Sequence, residues 1–298
     1  MKNLLPALHS AVIIMTPLLF AAAGGLFTEL AGMLNIALEG LLLMGAFAAV
    51  AAAYYTGSFA AAVAAAIIAS LALACLLAFT TLKLRSNVFI TGLATNLLAG
   101  GLTVVLSDFL FKTRGVITLP GFPHLPLLHI PLINTIPVIG ELLSGHSPYA
   151  YAGILLLALS WLVIYKTPFG FRLRACGSHQ DALASLGLKP GTYRCAALLI
   201  SGCCCGIGGS FLSLNLGAFV PNMPAGKGWI ALVVVFLGGR KPQGLIAAAF
   251  IFGLADAFSN YAQGRFNVPA DFILALPYLF TFLVIVAVSV WDSKRLRR

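Results

Sequence analysis

The chain has 298 residues, 60% hydrophobic and only 9% charged, with a formal net charge of +10. A soluble domain carries about a quarter charged residues. The composition therefore excludes a water-soluble protein and predicts an all-α polytopic membrane bundle, about eight to ten spans in one domain over 1–298, because backbone in lipid must satisfy its own hydrogen bonds. The short alternating strands of a membrane barrel are absent. The basic residues fall in clusters between apolar runs, a pattern that sets topology and argues against a nucleic-acid face.

In chain order the apolar segments are Val12–Phe27, Met33–Tyr54, Phe59–Leu82, Val88–Phe111, Tyr149–Tyr165, Cys195–Leu216, Trp229–Leu237, Leu245–Tyr261 and Phe272–Val290. The first run lacks a small-residue cleavage site with a polar start after it, so no cleavable signal peptide is expected. Trp229–Leu237 is short for a span unless it recruits the residues before it. Four basic clusters follow: Lys83/Arg85, Lys166 to Arg194, Arg240/Lys241, and Lys294 to Arg298. Two apolar segments separate each consecutive pair, so all four share one side, which the positive-inside rule makes cytoplasmic. Three segments precede Lys83, which puts Met1 outside. A broken or re-entrant segment near Thr28–Asn35 would reverse that. The Pro- and Gly-rich loop 112–148 is then extracytoplasmic, and the basic loop 166–194 cytoplasmic.

Carboxylates and amides inside apolar runs are costly and line a pathway or pair with a partner. Glu29, Asn35 and Glu39 lie at or inside the second segment. Asn35 and Glu39 are four apart, which puts them on one helix face. Asn96 must face the bundle interior, where it bonds another helix or contacts a solute. Gly202, Gly206 and Gly209 have the spacing of a close helix contact. The stretch Phe219 to Trp229, with Asn222 inside it, breaks the helical pattern. It is either cavity-lining backbone, whose exposed amides could bind polar solute groups while Phe219 or Trp229 stacks on a ring, or an external turn. Asp256 needs a partner, with Arg240, Arg265 or a helix end as candidates. An ion-coupled carrier using Glu39 or Asp256 is the alternative class of function. No clustered catalytic set appears, and neither the six cysteines nor the five histidines show metal-ligand spacing.

The loop 166–194 carries a short polar helix over Ser178–Leu186. Ser178 and Asp181 have capping-box spacing, and Gly187 with Pro190 ends it. Ala182, Leu183 and Leu186 can form one apolar face. Such a helix is shaped to dock on a soluble partner.

The run Leu30-Ala31-Gly32-Met33-Leu34-Asn35-Ile36-Ala37-Leu38-Glu39-Gly40-Leu41-Leu42-Leu43-Met44-Gly45-Ala46 closely resembles the signature near the start of permease subunits of ABC importers for nucleosides and related simple sugars. Thr95-Asn96-Leu97, Arg172-Leu173-Arg174-Ala175-Cys176-Gly177, Ser201-Gly202 through Gly209-Ser210, Asn222 to Gly228 and Phe252-Gly253-Leu254-Ala255-Asp256-Ala257 continue the resemblance in order. It implies a non-catalytic subunit of an inner-membrane importer. Two permeases, the second favoured as a paralogue, enclose the pathway. Separate ATPase subunits hold ATP–Mg, an external binding protein delivers the solute, and this chain binds no cofactor or metal. It also implies Asn35, Glu39, Asn96, Asn222 and Asp256 at the pathway, which Phe219 joins by its own chemistry as a ring that could stack, and a coupling role for Arg172, Arg174, Gly177, Ser178, Asp181, Ala182, Leu183, Ala184, Leu186 and Gly187. The solute would be a nucleoside, riboflavin or a simple sugar. Ser178-His179 replaces the family's charged start of the coupling helix, and Cys203 to Cys205 is an unusual triplet.

Overall fold

The computed structural model describes residues 4–123, 125–128 and 144–263. In order the elements are α1 (Leu4–Leu30), α2 (Leu38–Thr56), α3 (Phe59–Ala78), α4 (Val88–Phe111), β1 (Ile117–Thr118), α5 (Pro148–Lys166), α6 (Pro168–Ser178), α7 (Gln180–Ser185), α8 (Pro190–Leu216), β2 (Ala218–Phe219), α9 (Lys227–Leu237) and α10 (Pro242–Gln263). Seven of these helices, α1 to α5, α8 and α10, are long and apolar enough to cross a membrane, while α9 is a shorter apolar helix. The segment Phe272–Val290, Arg265 and the last basic cluster lie outside the described residues.

Local chemistry starts the helices where they start. The Ser58 hydroxyl accepts the Ala61 N–H at 3.4 Å, and the Asn87 carbonyl oxygen accepts those of Phe89 and Ile90 at 2.9 and 3.3 Å. Each satisfies N–H groups that a helix start leaves without a partner. Pro148, Pro168 and Pro190 open α5, α6 and α8 at a position where the missing N–H costs nothing. At its far end α3 widens into a π-turn over Phe79–Lys83.

Helix α8 is the centre, packed along α1, α2 and α3. Its glycines make that possible. A Cβ on Gly206 would lie 2.7 Å from the Ile67 Cα on α3, and one on Gly202 2.6 Å from the Ala74 Cβ. Gly209 meets the Leu42 carbonyl and the Ala46 N–H on α2 instead, so these glycines serve two interfaces. Gly206→Val is expected to destabilise the bundle by about 1–3 kcal/mol through overpacking against backbone that cannot withdraw. A lowered unfolding midpoint in detergent checks this, with Gly217→Ala, where an added Cβ meets nothing within 4 Å but φ is positive, as the contrasting strain-only control.

Contacts sort the connections onto two faces. The Gly177 backbone at the end of α6 packs against Leu30 and Gly32. Glu29 pairs with Arg240 at 2.9 Å. The end of α1, the 166–194 loop and the α9–α10 turn therefore share one basic face. The opposite face holds the antiparallel pair β1–β2, with Ile117 opposite Phe219. A smaller apolar cluster of Leu43, Phe47, Val50, Ala62, Leu214 and Phe219 seals that end. The break near Thr28–Asn35 is real, but α1 remains a complete helix of 27 residues. It therefore does not reverse the sidedness: α1 begins on the face opposite the basic one.

Candidate functional site: two helix starts inside the bundle

Residues 31–37 leave the helix after α1, and α2 begins only at Leu38. Asn35 is therefore in the break and does not share a helix face with Glu39. Its side chain works on this break. The carbonyl oxygen accepts the Ala37 N–H at 3.0 Å, and the amide donates to the Ser201 hydroxyl at 2.9 Å. Asn35 is 1% exposed. Ser201 is eleven residues into α8 from Pro190, about 16 Å along the axis at 1.5 Å per residue. The start of α2 is thus well inside the bundle.

Two further side chains complete this start. From α4, the Asn96 carbonyl oxygen accepts the Gly40 N–H at 2.8 Å, and its amide donates to the Ile36 carbonyl at 2.9 Å. Asn96 is a cap supplied by a neighbouring helix. It satisfies a donor and an acceptor that would otherwise be orphaned away from water. Glu39, in the first turn of α2, reaches in the other direction. Its two carboxylate oxygens accept the Gly226 N–H at 2.7 Å and the Gly228 N–H at 2.6 Å. Those amides are the start of α9. Gly226 takes a φ of +88°, which favours glycine. A Cβ on Gly228 would collide with the Glu39 backbone. A half-length helix thus begins beside the start of α2, and one carboxylate clasps them together. The positive ends of two helix dipoles meet there and are countered by the Glu39 charge.

The other expected pathway residues lie elsewhere. Phe219 is 1% exposed, with its ring edge-on to Phe47 at 5.3 Å, so it packs the end cluster and has no free face for a solute ring. Asn222 is an exposed turn residue with a φ of +57°. Asp256 is half-buried on α10, which packs on α1, α5 and α9. Arg240 is not its partner, because Arg240 pairs with Glu29; among the described residues Asp256 makes no ion pair. Asn35, Glu39 and Asn96 are brought together; Phe219, Asn222 and Asp256 are not. Ser201 belongs to the site and was missed; the Gly226 and Gly228 amides lie in the stretch whose backbone amides were expected to be open to polar groups, but the group they bind is Glu39. Ser201 reads as one more small residue, and a backbone N–H has no letter of its own.

On the basic face the short helix differs from its expected form. It starts at Gln180 after the kinked His179, and Ser178 is the last residue of α6. The Ser178 hydroxyl donates to the Arg174 carbonyl at 3.0 Å, so no capping box forms with the exposed Asp181. The reason is α6 itself, an 11-residue helix opened by Thr167 and Pro168 that consumes the serine. Gly187 does turn the chain, at a φ of +76°. Leu183 is 3% exposed and points into the protein, whereas Leu186 is 77% exposed and Ala182 and Ala184 are open. The expected single face of Ala182, Leu183 and Leu186 is therefore divided. Arg174 lies between the Tyr165 and Phe171 rings at 4.8 and 4.9 Å, and Arg172 donates to the Tyr193 hydroxyl at 3.4 Å.

The model of the branched-chain amino acid transport system permease component family matches residues 8–289. The chain belongs to that family. The permease is 31% identical to the nucleoside ABC transporter permease protein NupC of Lactococcus lactis subsp. cremoris, over 91% of this chain and 88% of the relative. It is 30% identical to the guanosine ABC transporter permease protein NupQ of Bacillus subtilis, over 90% and 87%. It is also 30% identical to the putative glucose ABC transporter permease protein TsgC13 of Haloferax volcanii, over 86% and 77%. No solved structure matches it. The permease is thus a membrane subunit of an ABC transporter, and these relatives speak against the ion-coupled alternative.

Proposed function

We propose that this permease forms, with a second permease subunit, the inner-membrane path of an importer for a neutral nucleoside or a related ribose-bearing solute. The observation that carries the reading is the clasp: Glu39 holding the Gly226 and Gly228 amides where two helices start inside the bundle. Helix starts attract anions. Here the α9 start is already met by the Glu39 carboxylate and the α2 start by the Asn35 and Asn96 side-chain oxygens, with the Glu39 charge beside both, so a phosphate-bearing solute would find no unmet positive field and a neutral one is favoured. The nucleoside and guanosine permeases among the relatives support the choice of solute. The basic face is cytoplasmic by the positive-inside rule, and α7 is the element on which an ATPase subunit, carrying ATP–Mg, docks. Asn35 and Asn96 hold the break between α1 and α2, and a switch between outward- and inward-facing states would repack that break.

Reconstitution with the partner ATPase, second permease and binding protein tests this. Uptake of radiolabelled nucleosides is expected to require ATP, and nucleoside monophosphates are expected to be excluded. Uptake of glucose or riboflavin alone would remove the nucleoside assignment and leave the permease reading standing. Uptake driven by an ion gradient without ATP would remove both.

A further inference from the structure

Arg194 is in the first turns of α8, and its side chain reaches three other elements. Its Nη2 donates to the Gln180 side-chain oxygen at 2.8 Å, and Gln180 is the first residue of α7. Its Nε donates to the Ala31 carbonyl at 3.3 Å, and Ala31 is the first residue of the break between α1 and α2. The guanidinium also faces Cys176 on α6: burial pushes that thiol up, and Arg194 pulls it down. The Ala31 carbonyl is one of those that the end of α1 leaves without a helical partner. Five residues further on, Ile36 and Ala37 are held by Asn96 and Asn35, and Glu39 follows. A planar guanidinium with donors in a fixed fork can hold two acceptors at a set separation; an ammonium on a flexible stem cannot.

We propose that Arg194 is a positioning residue that transmits displacement of α7 to the α1–α2 break, and through it to the Glu39 clasp. This rests on α7 being the ATPase-docking element. Gly177 is packed against Leu30 and Gly32 beside the same break, so α6 supplies a fulcrum and Arg194 the polar tie. Leu183 packs α7 onto this face but does not itself reach the α1–α2 break. The tie makes its first residue and the start of the break move together.

The test uses the complete reconstituted transporter. Arg194→Gln is expected to leave the ATPase bound and basal hydrolysis near wild type. Stimulation by nucleoside-loaded binding protein and uptake should both fall about tenfold or more, within the usual range of coupling between sites. Arg194→Lys, which can reach one acceptor at a time, should recover part of the stimulation. Gln180→Ala should lose less than Arg194→Gln, and the double variant should be no worse than Arg194→Gln alone, because both cut one tie. Normal stimulation in Arg194→Gln, or additive losses in the double variant, would overturn the proposal. So would loss of assembly in both Arg194→Gln and Arg194→Lys, which is the result for a purely structural residue. Failure of the underlying reading looks different: the wild-type complex itself would show no ATPase bound through α7, and Leu186→Asp would have no effect.

Discussion

Glu39→Ala is expected to abolish uptake and to lower the stability of the permease by about 3 kcal/mol or more, since hydrogen bonds to a charged group contribute about 1.5–3 kcal/mol each. The physical reason lies with the groups left behind. The carboxylate is the acceptor for the Gly226 and Gly228 N–H groups at the start of α9. Alanine leaves the buried Gly228 N–H and the half-buried Gly226 N–H without it, and an unmet backbone donor away from water is costly. The positive ends of α2 and α9 would then face each other without a compensating charge. Two milder variants separate charge from shape. Glu39→Gln keeps one acceptor but turns an amide donor toward the second N–H, so it should be intermediate. Glu39→Asp keeps the charge but is one methylene short of spanning both amides. Unfolding midpoints in detergent and uptake in vesicles are the readouts. Equal midpoints for wild type and Glu39→Ala would mean that the clasp does not hold these helix starts.

The spans were legible because they depend on bulk apolar length. Val88–Phe111 is matched end for end and Phe59 at its start, where Ser58 and Asn87 cap the helices; Leu4–Leu30 and Pro190–Leu216 begin several residues before their apolar runs, and α2 begins five residues after Met33 because the break takes the start of that run. The short apolar run before Gly238 was legible as too short, and it is indeed the half-length α9. The clasp was not legible, because one partner is Glu39 and the others are backbone amides 187 and 189 residues away. Asn96 left two readings open for a related reason. An amide in an apolar helix has the same letter whether it bonds a helix start or a solute, and only the position of α2 separates them. The loop helix was misplaced by two residues because Ser178 satisfies a capping spacing while Thr167 and Pro168, eleven and ten residues earlier, start a helix that runs through it. Over six residues, helical periodicity is too short to say which leucine faces inward.

That division between Leu183 and Leu186 yields the sharpest test of the docking surface. Leu186→Asp is expected to leave the permease folded and inserted while weakening ATPase association by about 2 kcal/mol or more, roughly thirtyfold in affinity, if this exposed leucine is a central anchor. An aspartate there meets water in the free subunit at little cost, since Leu186 is 77% exposed. On docking it would be desolvated without a partner. Leu183→Asp is expected to do the reverse. Leu183 is 3% exposed, so the charge is forced into the loop's own packing, and truncation alone of a buried leucine costs about 2–5 kcal/mol. That variant should lower the unfolding midpoint of the isolated permease before any partner is added. Ala182→Glu should behave like Leu186→Asp, because Ala182 is on the open side of α7. Co-purification of the ATPase reads docking, and the unfolding midpoint of the permease alone reads packing. Two readouts that move together in all three variants would mean that α7 is part of the folded core only. An ATPase that stays bound to Leu186→Asp and Ala182→Glu would place the docking surface elsewhere on the basic face.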